Sequence, residues 1–94
     1  MDVHELIWLD AFVEKLWRKH RVTVDEVEEV LSGRPLVRRV ARGDVAGEDV
    51  YSALGPTARG RYLIVFYVLK VGGRALVISA RDMKAKEQRQ YAKR

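Results

Sequence analysis

At 94 residues and without cysteine, the chain has room for one domain, read as 1–94, and one core; disulfides and thiolate metal sites are excluded. With 48% hydrophobic and 33% charged residues it is neither disordered nor membrane-embedded, because its longest apolar run, 62–69, falls well short of the ~20 residues a spanning helix needs. The net charge of +5 divides into −4 over residues 1–33 and +9 over residues 34–94, so the larger part suits a polyanionic partner, with a merely solvated high-pI surface as the alternative.

In chain order, Met1 is followed by Asp2 and Glu5 rather than by a basic segment and an apolar run, so no signal peptide is expected; a cytoplasmic location is. Residues 4–9 (HELIWL) have short β character. Asp10 is placed to cap a helix running to about His20, in which Phe12, Val13, Leu16, Trp17 and His20 share one face, with core packing expected of Trp17. Thr23 and Glu26 have capping-box spacing and open a second helix with Val24, Val27, Val30 and Leu31 inward. Asp25, Glu26, Glu28 and Glu29 form its acidic outer side, Gly33 is expected as a left-handed stop, and Pro35 prevents continuation. The period then becomes strand-like over 36–42, with a polar turn at 43–49 and a second strand over 50–55. Residues 61–71 (RYLIVFYVLKV) read as a central strand covered on at least one face. Gly72-Gly73 is a two-residue hairpin signal, and residues 74–80 return as the antiparallel partner. The polar tail over 82–94 reads as a helix anchored by Met83, Ala85 and Tyr91. The expected class is α+β: an antiparallel meander of four main strands plus a short N-terminal strand, in the order β-α-α-β-β-β-β-α.

Several segments then fall into a known order. Trp8 precedes a helix ending in Lys19-His20, followed by Val22-Thr23 and the acidic Asp25-Glu26. Next come Gly47-Glu48-Asp49, Tyr51-Ser52-Ala53-Leu54-Gly55 and Gly60-Arg61. Ile78-Ser79-Ala80-Arg81 then leads into a helix with Glu87, Arg89 and Tyr91. Over roughly residues 5 to 93 the chain resembles the BrnT family of bacterial toxins, within the wider RelE-like group of compact ribonucleases. It departs from the family pattern at Arg21, where glycine is usual, at Val50, where arginine is usual, and in the turn near Asp44, which lacks histidine.

RNA cleavage without a metal needs a proton acceptor for the 2′-hydroxyl, a donor for the leaving oxygen and cations for the anionic phosphorane. Arg81, before the C-terminal helix, is the candidate for phosphate, unless a carboxylate holds it. His20 is the natural acid or base by residue type, or else a half-buried histidine at a helix end. Glu87 stands among lysines and arginines, which suits an ion pair more than a base; Lys84 and Tyr91 are one turn to either side of it. Lys19, Lys84 and Tyr91 are further RNA-binding candidates. Arg61 and Arg74 join them unless they are solvated strand ends, and Trp8 is a possible base-stacking edge residue. His4 and His20 lack metal-ligand spacing, so no metal site is expected, and the resemblance implies no cofactor.

The resemblance implies a ribonuclease toxin of a type II toxin–antitoxin pair, a metal-independent hydrolase acting on RNA and neutralised by a cognate antitoxin with a DNA-binding domain. The alternative is a non-catalytic RNA- or protein-binding module on the same fold, to which the departures at Arg21, Val50 and Asp44 point. An uncovered edge strand would permit a homodimer.

Overall fold

A computed structural model describes residues 3–43 and 48–94. Asp44 and Gly47, and with them the middle of the 43–49 turn, lie outside the described residues. The elements are β1 (Glu5–Ile7), α1 (Asp10–His20), α2 (Val24–Ser32), β2 (Leu36–Ala41), β3 (Val50–Pro56), β4 (Tyr62–Lys70), β5 (Arg74–Asp82) and α3 (Ala85–Ala92). They build one five-stranded sheet in the order β1-β5-β4-β3-β2. Strands β2 to β5 form an antiparallel meander, and β1 adds to the β5 edge in parallel.

The unbroken apolar run of β4 is explained by cover on both sides. Leu63, Val65 and Tyr67 point to one face and meet Leu16 of α1, Val22, and Val27 and Val30 of α2. Ile64 and Phe66 point to the other and join Leu54, Leu36, Met83 and Tyr91 of α3. Alternate side chains of a strand face opposite ways, so a two-sided strand must be apolar at every position. Tyr51 and Tyr67 stack at 5.7 Å on the α1/α2 side.

The capping box of α2 is formed: Thr23 Oγ1 accepts from the Glu26 amide (3.2 Å), and the Thr23 amide donates to Glu26 Oε1 (3.0 Å). Four local expectations change. Asp10 is the first helical residue of α1, after Leu9 as N-cap, and makes no side-chain cap; its charge favours the helix N-terminus instead. Gly33 has φ −82°, so α2 does not end on a left-handed residue; Arg21 is the left-handed one, with φ 54° and ψ 39° after α1. Trp17 is 51% exposed, because α1 lies over β5, next to the β1 edge of the sheet, and buries only Leu16 fully. The β4–β5 turn has three residues, Val71, Gly72 and Gly73, with Lys70 facing Arg74. Gly72 and Gly73 carry φ of 87° and 78°, a region L side chains rarely adopt.

Candidate active site

The end of the sheet opposite the Gly72-Gly73 turn gathers the start of β4, the end of β5, the last turn of α1 and the first turns of α2 and α3. Register puts Leu63 opposite Asp82 and Ile64 opposite Arg81. Two arginines organise this end, and they are spent very differently.

Arg61 donates from Nε to Asp82 Oδ1 (2.7 Å) and from Nη2 to Asp82 Oδ2 (3.1 Å) and the His20 carbonyl (2.9 Å). Its Nη1 donates to the Arg21 carbonyl (2.8 Å) and to the Glu26 carboxylate (3.2 and 3.3 Å). Every N–H of this guanidinium has a protein acceptor. It ties the open carbonyl end of α1 to the α2 cap and to β5, satisfying helix-terminal carbonyls that have no intrahelical partner. Arg61 is thus turned inward, with each of its donors engaged inside the protein. Its pKa is raised, first by the bonds to Asp82, with burial opposing. The same bonds hold the Asp82 carboxyl below its ordinary value, with a further contribution from His20. Burial alone would push Glu26 up, but the Thr23 and Arg61 bonds bring it below its ordinary range.

Arg81 pairs with Glu87 through both guanidinium ends, Nη1 to Oε1 at 2.8 Å and Nη2 to Oε2 at 2.9 Å, and Nη1 also donates to the Asp82 carbonyl (3.1 Å). It lies over the Phe66 ring, 5.7 Å from the centroid. Its Nε and the second N–H of Nη2 have no acceptor among the described residues, and those donors form an edge suited to phosphate. Glu87 also accepts from the Lys84 amide (2.8 Å), closing the first turn of α3. The Arg81 bonds hold the Glu87 carboxyl below its usual range, with burial opposing; Lys84 and its amide add to the lowering. A depressed carboxylate with both oxygens engaged is a weak base. Its geometry orients the arginine.

His20, half-buried, ends α1 beside this network, and the exposed Lys19 precedes it. Lys84 stands at the N-cap of α3, and Tyr91 packs edge-on against Tyr62 (6.0 Å) on the same face as Phe66. Two expected residues are elsewhere. Arg74 begins β5 at the opposite end, opposite Lys70 and beside Glu5, roughly 23 Å of strand from Arg81. Trp8 follows β1 and, partly buried, packs against the α1/α2-side core. Asp82, Glu26 and Phe66 were not among the expected site residues. A carboxylate directly after Arg81, at a sheet end shared with Arg61, was the available signal for Asp82. Among the described residues, no three of His, Cys, Asp and Glu are grouped as metal ligands.

Comparison with known proteins bears on this arrangement. The family described as the ribonuclease toxin BrnT of type II toxin–antitoxin systems matches residues 8–87, which span every element except β1 and the end of α3. The chain belongs to the BrnT family. Membership brings an RNA substrate and a cognate antitoxin as partner. The chain is also similar to the 1.1 Å crystal structure of the Brucella abortus ribonuclease toxin BrnT, with a TM-score of 0.61 and 19% identity over 87% of this chain and 99% of that one. At that identity the likeness speaks to the fold, which is shared from end to end of the Brucella chain. No curated protein sequence matches the chain. Within the BrnT pattern, the Ile78-Ser79-Ala80-Arg81 segment is the inner strand end just described, and Glu87 is the partner of its arginine.

Proposed function

We propose that residues 1–94 act as one RelE-like domain, a metal-independent endoribonuclease whose catalytic groups are Arg81 and His20, with Glu87 positioning Arg81 and Lys19, Lys84 and Tyr91 contacting the RNA. The observation that carries this reading is the contrast between the two arginines. Arg61 is spent entirely within the protein, whereas Arg81 is pre-oriented by Glu87 with a donor edge unspent. A pre-ordered guanidinium aimed at developing phosphorane charge needs no rearrangement during reaction. His20 takes the proton of the 2′-hydroxyl as that oxygen attacks phosphorus. It returns the proton to the 5′-oxygen as the P–O5′ bond breaks, giving a 2′,3′-cyclic phosphate and a 5′-hydroxyl. Glu87 positions Arg81 and takes no proton in this scheme, in keeping with its lowered pKa.

The cognate antitoxin carries a DNA-binding domain and covers this basic end with acidic residues, in the cytoplasm where both RNA and the antitoxin's DNA site are found. Among the described residues no helix is long and apolar enough to cross a membrane. A homodimer through the β2 edge is opposed by its exposed Arg38 and Arg39, which would meet their own copies.

An RNA cleavage assay on the wild type, Arg81→Ala and His20→Ala tests the proposal. Cleavage by the wild type and loss of 10²-fold or more in each folded variant is expected. Wild-type protein that binds RNA with steep salt dependence and leaves it whole would instead establish a binding module, a reading favoured by the closed Arg81–Glu87 pair.

A further inference from the structure

Beyond the Arg81–Glu87 pair, α3 carries Tyr91 one turn further along from Glu87, and Arg94, just past the C-cap Lys93, folds back over the Tyr91 ring. There α3 and the β3–β4 end of the sheet enclose a cleft of about 450 Å³ lined by Pro56, Tyr62, Gln88, Tyr91, Ala92 and Arg94. Its composition is unlike that of a packing defect. Tyr62 is 45% exposed although it lies on the central strand, and its ring meets Tyr91 at 6.0 Å and 61°. The Arg94 guanidinium sits 3.7 Å from the Tyr91 centroid, and Gln88, on the exposed side of α3, brings an amide to the rim. The cleft also continues a line on that face. Along β4, Tyr62, Ile64 and Phe66 point the same way, and Phe66 lies beneath Arg81.

We propose that this cleft is a nucleobase subsite that holds a base of the RNA flanking the phosphate at Arg81. The proposal rests on the ribonuclease reading above for its ligand. An aromatic face and a stacked guanidinium accept any base by its π-face. Gln88, with both donor and acceptor atoms, adds a means of telling base edges apart. The cation at Arg94 complements the adjoining phosphate. Arg81 then sets where the chain is cut, while the Tyr62 cleft sets which base stands beside the cut.

Two measurements test this. The labelled full chain is titrated with AMP, GMP, CMP and UMP, and with inorganic phosphate as control, by NMR. The Tyr62 and Tyr91 rings and the Gln88 side-chain amide should shift with nucleotides and not with phosphate, while Tyr51 and Tyr67, on the opposite face, stay unmoved. RNA cleavage kinetics are then compared for wild type, Tyr62→Leu and Gln88→Ala. Tyr62→Leu should raise KM about tenfold with a smaller fall in kcat. Gln88→Ala, an exposed helix position, should leave the fold intact and level the preference among flanking bases. Cleavage that proceeds with unchanged KM and preference, or nucleotides that leave the cleft resonances unmoved, overturns the subsite. If nucleotides shift the cleft while RNA stays uncut, the subsite stands and the catalytic reading fails.

Discussion

Arg21 and Arg61 sit side by side in the structure and show how differently one residue type is used. Arg21 occupies a left-handed conformation that costs a side-chain-bearing residue roughly 1–2 kcal/mol. It recovers part of that through its guanidinium, 5.1 Å from the centroid of the exposed Trp17 ring. The departure from the family's usual glycine is thus a conformational cost at a helix end. Arg21→Gly should raise stability by about 0.5–1 kcal/mol, because relief of the strain exceeds the loss of one exposed cation–π contact. Urea unfolding checks it, and a midpoint at or below wild type would refute the argument. Arg61 is the opposite case. Arg61→Lys keeps the charge but cannot serve two carboxylates and two helix-end carbonyls at once. A loss of about 2 kcal/mol is expected, discounted for the partial exposure of the cluster. Unfolding within 0.5 kcal/mol of wild type would show that the hub contributes little.

Among the elements, α2 and α3 lie at opposite ends of a scale of attachment. Helix α2 has a complete capping box and buries Val27 and Val30. Helix α3 has no fully buried residue and is held through Glu87 on Arg81 and through Tyr91 in the cluster with Leu54, Ile64 and Met83. Glu87→Gln weakens the ion pair and should make the amides of α3 exchange about tenfold faster, the equivalent of ~1.4 kcal/mol, while β4 amides keep their protection. Hydrogen exchange read by NMR decides this; equal protection of α3 in both proteins would show that Tyr91 alone anchors it. The element order was legible in the sequence because each period is local: helical spacing in α1 and α2, unbroken apolarity in β4, paired glycines before β5. Even the turn error did little harm. A two-residue turn and the observed three-residue turn with its bulge between Phe66 and Tyr67 give the same pairing of Leu63 with Asp82. What could not be read was partnership across elements. Three residues of β1 do not reveal a parallel neighbour, and no spacing rule links Arg61 to Asp82 or to the carbonyls closing α1. Arg81 and Glu87 were each singled out, but their mutual pair depends on α3 turning back over the strand end.

At the scale of the whole molecule, the sheet end works as a charge lattice in which Glu26, Asp82 and Glu87 are each bound to an arginine. All three carboxyls lie below their ordinary values of 4.5, 3.8 and 4.5. In the unfolded chain they return towards those values, so at acid pH the unfolded state binds more protons than the folded one. Stability therefore rises with pH through this region and falls as the medium is acidified. The contribution is fully present above the unfolded carboxyl values, and it is lost as the pH drops through the lower folded ones. Urea midpoints should accordingly be level between about pH 7 and 5.5 and decline steadily from about pH 4.5 to 3. The decline should be shallower in Glu87→Gln, which removes one of the three groups. A midpoint that holds constant to pH 3, or a slope unchanged by that substitution, would mean that these arginine pairs are as well screened as ordinary surface contacts and do not hold the sheet end together.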